Sequence, residues 1–427
     1  KRLLRSLELV FVVIAVVIFL AVASGSAWIA TSWLKVATLS EETVADCVVL
    51  MGAIVALRFF AVLYRSGIQG TENQVTLNIA SIVLVTIKFV GALLLLKFVT
   101  QDIADFFLYQ LFVGGLELVA FGIMLYRFIP SSDNVGASFF WQTLKPVLPF
   151  AGGMAYTAGI WVLLTQFDKL VLSNVLSLAE YGYFALVVVI ATGISQVGAP
   201  ISQAILPRMT YLLSQGNEEE MLLLYRQSTQ LMAVVILPLA GVVALFSSEL
   251  LFAWTGDTKA AEWAGPVLLW FALGNGVLAI SAFQFYLQFA HGQLRLHVIY
   301  NSVAAAIQIP VILYAAYVHG VIGVALTWFL LRVLTFLIWT PIVHKKFADG
   351  IHWSWLLGDI GPSFAMTMAL LLIATNLDLP FEGMSRAAII VALLGIGIFM
   401  LLCNTLVSRA PRNLLFGTAI RNFGNGK

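Results

Sequence analysis

Three positively charged residues lie inside long apolar runs of the sequence: Arg58, Lys88 and Arg332. A charge at the middle of a membrane costs about 2.5–3.5 kcal/mol on insertion scales, so each residue must face water, an anion or a carboxylate. The planar guanidinium of arginine matches phosphate through paired hydrogen bonds, whereas the ammonium of lysine acts as a point charge. These cations therefore predict a site for an anionic group, such as a pyrophosphate or acidic sugars.

Two acidic residues accompany the cations. Glu117 lies in the apolar run that follows the run of Lys88, at a similar depth. It can form an ion pair with Lys88, or it can be a coupling carboxylate that exchanges a proton or Na⁺. Asp168 follows another apolar run and stands beside Lys169. This second pattern is typical of a solvated ion pair at the membrane edge.

A further run contains polar residues at helical spacing. Intervals of 3, 4, 3 and 4 residues confine them to a stripe about 80° wide on one helix face. The five residues are Ser281, Gln284, Gln288, His291 and Arg295. A polar stripe faces protein or a wet cavity rather than lipid, so it either binds sugar hydroxyls or joins helices. Asn301 and Gln308, seven residues apart in the next run, extend the same surface.

The composition indicates what kind of protein positions these residues. Of the 427 residues, 61% are hydrophobic and only 10% are charged, whereas a soluble protein carries about 25% charged residues. We therefore expect an all-α polytopic membrane protein. The net charge of +2 gives no reason to expect a nucleic-acid partner, and no metal-binding or nucleotide-binding motif occurs. We expect no cofactor, no metal ion and no catalytic residue.

The apolar runs predict about twelve membrane-spanning helices, each about 20 residues or longer. They cover residues 8–30, 44–64, 77–99, 103–127, 146–166, 181–205, 229–251, 263–290, 297–318, 321–343, 359–376 and 387–407. With the N-terminus inside, fifteen of the 23 Lys and Arg residues fall on the cytoplasmic side. The positive-inside rule therefore places both termini of this chain in the cytoplasm.

A weak internal repeat divides these helices into two lobes. The pattern Tyr-x5-Gly, followed by an Asn in the next run, begins at Tyr64 and again at Tyr286, an offset of 222 residues. This offset brings the seventh to tenth spans onto the first four. We predict an incomplete four-helix N-terminal lobe (1–128), a cytoplasmic linker (129–145), a six-helix C-terminal lobe (146–343), and two extra helices with a cytoplasmic tail (344–427). Two helices would then be missing from the N-terminal lobe, and the intact protein would have about fourteen spans.

Three stretches resemble one family of membrane exporters. They are LYRSGIQGTENQVTLN (63–78), QFDKLVLSNVLSLAEYGYFAL (166–186) and GAPISQAILPRMTYLL (198–213). The chain resembles the polysaccharide (O-antigen and exopolysaccharide) flippases of the multidrug/oligosaccharidyl-lipid/polysaccharide exporter superfamily over most of residues 45–345. It departs from the family by beginning near the family's third helix.

The resemblance implies a fold and a function. The fold would be two six-helix lobes around a central cavity, working by alternating access. The function would be export of an undecaprenyl-pyrophosphate-linked oligosaccharide across the bacterial cytoplasmic (inner) membrane, for polysaccharides such as the O-antigen of lipopolysaccharide. The resemblance also makes Asp168 a candidate for gating or ion coupling.

These observations together predict a flippase for a lipid-linked oligosaccharide, which breaks no covalent bond and is not an enzyme. Its partners would be the lipid-linked oligosaccharide, the lipid bilayer and a coupling proton or sodium ion. We expect Arg332 to line the central cavity, within reach of Lys88 through a bound anion.

Three other functions fit parts of the sequence. A multidrug exporter of the same superfamily would bind cationic drugs with carboxylates, whereas Glu117 is the one clear acid among three cations inside the spans. A peptidoglycan-precursor flippase is hardly distinguished from the first prediction. A membrane glycan polymerase or transferase would place acidic residues in sizeable external loops, and the predicted external loops are short.

Overall fold

The computed structural model describes residues 2–34, 39–71, 73–129, 141–145, 148–377, 381 and 383–413. Every regular element within these ranges is a helix, and ten helical segments there are long and apolar enough to cross a membrane. Most of the predicted linker and the end of the predicted tail fall outside the described ranges. The predicted class, an all-α polytopic membrane protein, is confirmed.

The chain forms two compact units, residues Lys1–Tyr156 and Thr157–Lys427. The helices of the first unit are α1 (Arg2–Trp28), which continues as a π-helical turn (Ile29–Trp33), α2 (Glu41–Gly70), α3 (Gln74–Phe98), α4 (Ile103–Phe128) and α5 (Trp141–Leu144). The next helix, α6 (Leu148–Val175), begins in the first unit and ends in the second. The lobe boundaries at 128 and 146 stay a prediction.

Small residues let α2 pack closely against its neighbours in the first unit. A Cβ atom at Gly52 would lie 2.9 Å from Val22 Cγ1 of α1, and one at Gly67 would lie 2.7 Å from Leu125 Cδ2 of α4. Such close approach is typical of helix pairs in membranes, where van der Waals packing holds helices together. Helix α2 therefore forms the centre of this unit, between α1 and α4.

The second unit contains the remaining helices. They are α7 (Leu178–Val197), α8 (Ala199–Ser214), α9 (Glu218–Leu245), α10 (Ser247–Thr255), α11 (Thr258–Ala290), α12 (Arg295–Phe347), α13 (His352–Trp355) with a π-helical turn (Leu356–Ile360), α14 (Gly361–Thr375) and α15 (Arg386–Val407). Helix α11 contacts α7, α8, α9, α10 and α12, so its side chains form much of the unit's core. Here too glycine permits the contact, because a Cβ at Gly274 would lie 2.3 Å from the ring of Trp328.

Helix α12 is two helices joined at Gly320. This residue has φ 63° and ψ −156°, a conformation that only glycine adopts without strain. We call residues 295–319 α12a and residues 321–347 α12b; each is long enough to cross a hydrocarbon core about 30 Å thick. With this division, and with α6 at the fifth position, a helix lies at each of the twelve predicted positions.

The order of helices agrees with an internal repeat. The first set of helices is α1, α2, α3 and α4, and the second set is α9, α11, α12a and α12b. Each helix of the second set begins 216 to 221 residues after its counterpart in the first set. In the first set α2 contacts α1 and α4, and in the second set α11 contacts α9 and, through Phe271 and Trp328, α12b. Whether the two sets superpose stays a prediction.

Labelling with an impermeant thiol reagent tests the predicted orientation. In a background with Cys47 and Cys403 replaced by serine, Leu39→Cys and Thr258→Cys should react from outside intact cells, because both positions are exposed and lie in predicted external turns. Gln215→Cys, exposed in the predicted cytoplasmic turn between α8 and α9, should react only after the cells are permeabilised. If Gln215→Cys alone reacted in intact cells, the predicted orientation would be wrong.

Candidate functional site

Arg332 is buried in the second unit, where three helices meet. Its Nη2 donates to the backbone carbonyl of Leu164 in α6 at 3.0 Å, and Gln308 Nε2 of α12a donates to the same oxygen at 2.7 Å. The guanidinium also lies over the ring of Trp328 at 4.8 Å and beside the hydroxyl of Tyr300. Arg332 is only 4% exposed, and its Nε has no hydrogen-bond partner within the described residues. The charge is therefore buried and incompletely satisfied.

Asp168 lies one helical turn beyond Leu164 on α6. The prediction of a solvated pair at the membrane edge is wrong, because α6 continues to Val175 and the Asp168 side chain is fully buried. Lys169 Nζ lies 3.7 Å from Asp168 Oδ1, yet neither carboxylate oxygen has a hydrogen-bond partner among the described residues. Asp168 is also near enough to Arg332 for a favourable charge interaction. The two residues thus form a buried pair of opposite charges that are not in direct contact.

A crevice of about 210 Å³ opens between α12a and α12b, and Arg332 lies at its base. Its polar lining residues are Tyr300, Gln308, Arg332, Thr335 and Trp339. The other lining residues are apolar: Val303, Ala304, Ile307, Leu331, Leu334 and Ile338. A site with apolar walls and a few polar groups at its base suits an amphipathic ligand.

In the first unit, Gln110 connects the side chain of Arg58 to the backbone of Lys88, and the two positive charges are near enough to repel each other. Arg58 Nη2 donates to Gln110 Oε1 at 3.0 Å, and Gln110 Nε2 donates to the backbone carbonyl of Lys88 at 3.4 Å. Lys88 and Glu117 have no contact within 4.0 Å among the described residues, but they are near enough for a favourable charge interaction, so their predicted pairing stays a prediction. The Lys88 ammonium instead lies 5.0 Å from the centre of the Phe89 ring. Lys88 and Arg332 belong to different units, so their predicted link through an anion stays a prediction.

The predicted polar stripe is shorter than five residues. Helix α11 ends at Ala290, so His291 caps it and the exposed Arg295 begins the next helix. Ser281, Gln284 and Gln288 remain on one helix and are buried. Because sequence spacing assumes an unbroken helix, it extended the stripe across the turn.

The members of the stripe hydrogen-bond within their own helix. Ser281 Oγ donates to Val277 O at 2.7 Å, and Gln288 Nε2 donates to Gln284 O at 3.2 Å. The side-chain carbonyl oxygens of Gln284 and Gln288 have no partner among the described residues, and the same is true of Asn301 Oδ1. These buried acceptors can receive hydroxyl donors from a ligand or from water.

The sequence did not indicate a role for Glu8, which is buried in the first unit. Its Oε1 accepts hydrogen bonds from Tyr126 Oη at 2.6 Å and Tyr64 Oη at 3.0 Å, and its Oε2 pairs with Arg5 Nη1 at 3.1 Å. The tyrosines come from the ends of α4 and α2, respectively. The acid and its neighbour Arg5 are visible in the sequence, but the two tyrosine partners are more than 50 residues away in the chain.

A hydrogen-bonded chain of aromatic residues was also missed, at the end of α12b. Tyr225 Oη and His344 Nε2 are 2.7 Å apart, and His344 Nδ1 is 3.0 Å from His352 Nδ1. Trp355 packs across them and donates from Nε1 to Thr229 Oγ1 at 3.0 Å. Because these residues lie on α9, α12b and α13, the chain joins the last helices to the rest of the second unit.

A buried ion pair lies next to this chain. Asp359 is 3% exposed and accepts from Arg226 Nε at 2.6 Å, Arg226 Nη2 at 3.2 Å and Gln230 Nε2 at 2.7 Å. Gln230 Oε1 in turn accepts from the backbone N–H of Ala410 at 2.8 Å. The pair is bidentate and fully hydrogen-bonded, which is the arrangement that makes a buried carboxylate tolerable.

Comparison with known proteins supports the fold. The chain is similar to a solved structure of the lipid II flippase MurJ in an inward closed conformation, with a TM-score of 0.72 and 14% sequence identity, over 98% of this chain and 84% of that chain. No protein family model matches the sequence, and no curated protein matches it either. At this level of identity the likeness establishes the fold alone, so this chain has the helical fold seen in MurJ.

Proposed function

We propose that this protein is a flippase for a lipid-linked oligosaccharide, carried on a polyprenyl pyrophosphate such as undecaprenyl pyrophosphate, in the bacterial cytoplasmic membrane. Arg332 carries the proposal. Its guanidinium is buried near the middle of α12b and, among the described residues, has no carboxylate within 4.0 Å. A guanidinium stays charged under all ordinary conditions, so a buried one without a direct counter-ion is suited to binding an anion. A pyrophosphate-linked lipid supplies that anion.

The fold supports the same proposal. The similar solved structure is a lipid II flippase, so a protein with this fold moves a lipid across a membrane. Alternating access would let one anion site serve both sides in turn, because only one side is open at a time. Lipid II itself is the second candidate substrate, and the structural likeness favours it.

Other residues would extend the anion site and contact the sugars. Arg58 and Lys88 would bring further positive charge, since neither has an ion pair within 4.0 Å among the described residues. Among the predicted sugar-binding residues, Gln284, Gln288 and Asn301 would accept hydrogen bonds from hydroxyl groups, because each has an unpartnered oxygen. His291 and Arg295 would act at the predicted cytoplasmic end, where α11 turns into α12a.

Asp168 is the stronger of the two predicted coupling residues. Its buried carboxylate would bind a proton or Na⁺ and would thereby change the field at Arg332, which interacts with it electrostatically. Glu117 is half-exposed and stays a second candidate. No covalent bond changes in this scheme, so the protein would act as a transporter and not as an enzyme.

Reconstitution into liposomes tests the proposed function and separates it from its rivals. Fluorescent polyprenyl-pyrophosphate oligosaccharide, fluorescent lipid II and a cationic dye would each be followed by the rate at which they reach the opposite leaflet or the lumen. We expect transport of the oligosaccharide lipid well above the rate in protein-free liposomes. Transport of lipid II alone would reassign the substrate to the peptidoglycan precursor. Transport of the dye alone would contradict the proposal and support a multidrug exporter.

A further inference from the structure

The crevice between α12a and α12b, which we call the α12 crevice, combines two kinds of surface. Val303, Ile307, Leu334 and Ile338 form its walls and are each 50–61% exposed. Arg332 lies at its base and is almost completely buried. The polar end is therefore deep, and the open end is aliphatic.

Two residues that line the α12 crevice carry buried hydrogen-bond donors without a partner in the described part of the chain. Arg332 Nε and Trp339 Nε1 have no partner among the described residues, and both belong to residues that line the crevice. Neither group can accept a hydrogen bond. Buried donors are almost always satisfied in folded proteins, so two unsatisfied ones indicate a ligand that brings acceptor oxygens. The positive charge of Arg332 favours an anionic acceptor such as phosphate.

The depth of Arg332 excludes a resident bilayer phospholipid as the source of that phosphate. Arg332 is eleven residues from the first residue of α12b, which corresponds to about 16 Å along the helix axis. The hydrocarbon core is about 30 Å thick, so Arg332 lies near its middle, far from the headgroups of either leaflet. A phosphate would come to this depth only while its lipid crosses the membrane.

The size of the α12 crevice indicates how much of a lipid it can hold. Its volume of about 210 Å³ equals the space of about seven water molecules in the liquid. A segment of one hydrocarbon chain fits this space. A lipid with one chain and a phosphate matches the walls, the base and the volume.

A second groove, in the first unit, has no polar residue in its lining. It lies between α1 and α2, has a volume of about 350 Å³, and is lined only by apolar residues. The lining residues are Val12, Ala15, Val16, Phe19, Ala53, Ala56, Leu57 and Phe60. This groove can hold any hydrocarbon chain but offers nothing to a phosphate, so it provides a matched control.

We propose that the α12 crevice is a subsite for a single-chain lipid phosphate, with the phosphate on Arg332 and Trp339 and the adjoining chain along the aliphatic walls. The proposal rests on the proposed function, since a lipid phosphate would reach this depth by the path that a transported lipid takes. The α12 crevice would hold the segment of the lipid chain that adjoins the phosphate, and the sugars would lie elsewhere.

Equilibrium binding of dodecyl phosphate to the full chain in phosphatidylcholine nanodiscs tests the subsite. Ala304→Trp places a large ring inside the α12 crevice and should weaken binding at least tenfold. Ala53→Trp adds the same ring to the groove between α1 and α2, at an equally half-buried position, and should leave binding unchanged. Arg332→Gln should remove the preference for dodecyl phosphate over dodecanol while dodecanol binding remains.

Two further measurements exclude misfolding of Ala304→Trp and binding of a bilayer phospholipid as explanations of the result. Ile338 is an exposed residue in the wall of the α12 crevice, so Ile338→Trp should cause little strain. This variant should weaken dodecyl phosphate binding as Ala304→Trp does. Dioleoyl phosphatidic acid, which has two chains, should not displace dodecyl phosphate. Unchanged binding in both crevice variants, or displacement by phosphatidic acid at the same concentration as by unlabelled dodecyl phosphate, would overturn the proposal.

The test is independent of transport. If the reconstituted protein moves no oligosaccharide lipid but Ala304→Trp still removes dodecyl phosphate binding, the proposed function fails and the subsite stands. If transport occurs and neither crevice variant affects dodecyl phosphate binding, the proposed function stands and the subsite fails.

Discussion

Replacing Arg332 with alanine should abolish transport of the lipid-linked substrate, while the protein still inserts into the membrane at normal abundance. The alanine side chain removes the buried positive charge and the hydrogen bond to the carbonyl of Leu164. Gln308 continues to donate to that carbonyl, so the backbone of α6 keeps a partner. The main loss would therefore be the proposed anion site, and the loss of transport should exceed tenfold.

The conservative variant distinguishes charge from geometry. Arg332→Lys should retain part of the transport rate if a point charge is sufficient, and almost none if the substrate needs two parallel hydrogen bonds from a planar group. Transport would be measured with the same fluorescent lipid in liposomes, at matched amounts of reconstituted protein. Arg409→Ala, which removes an exposed arginine from the same unit, serves as the control and should transport normally. Normal transport by Arg332→Ala would contradict the proposed role.

Replacing Asp359 with alanine should cause the largest loss of stability of any single substitution in the junction formed by α9, α13 and α14. The carboxylate accepts three hydrogen bonds, two from Arg226 and one from Gln230, and it is 3% exposed. Removing one partner of a buried ion pair costs about 3–5 kcal/mol, because the other charge stays behind unpaired. The Arg226 side chain is 36% exposed and can turn partly to water, so we expect about 3 kcal/mol, at the lower end.

Thermal unfolding in detergent, followed by tryptophan fluorescence, measures this effect. A loss of about 3 kcal/mol should lower the Tm by about 3–5 °C for a chain of this size. Asp359→Asn keeps one acceptor oxygen in place and should lower it by roughly half as much. Asp349→Ala is the control, since Asp349 is exposed in the turn between α12b and α13. A Tm for Asp359→Ala within 2 °C of the control would show that the ion pair contributes little.

Residues whose partners are distant in the chain could not be identified from the sequence. Gln110 was not selected, although Arg58 and the backbone of Lys88 both bond to it. Glu8 and Asp359 were not predicted either: the tyrosine partners of Glu8 lie more than 50 residues away, and the partners of Asp359 lie more than 120 residues away. No local pattern marks these contacts, because each one depends on which helices become neighbours.

The sequence by itself determined the class of the protein and the positions of its helices. Hydropathy can be read from each segment of the sequence by itself. Inside a bilayer the backbone groups must form their hydrogen bonds within the segment, so apolar runs of sufficient length become helices. The position of a charge within an apolar run is also local information. The cost of burying the charge of Arg332 in the membrane therefore follows from the sequence alone.

Only the tertiary structure decided what each polar residue meets. It placed Asp168 in the buried part of α6 instead of at the membrane edge, and it ended α11 at Ala290, so the polar stripe lost its last two members. It also joined Arg332 to the carbonyl of Leu164, 168 residues earlier in the chain. The physical reason is that a side chain's surroundings depend on how far its helix extends and which helices pack beside it, and packing between helices is a property of the folded chain rather than of any segment.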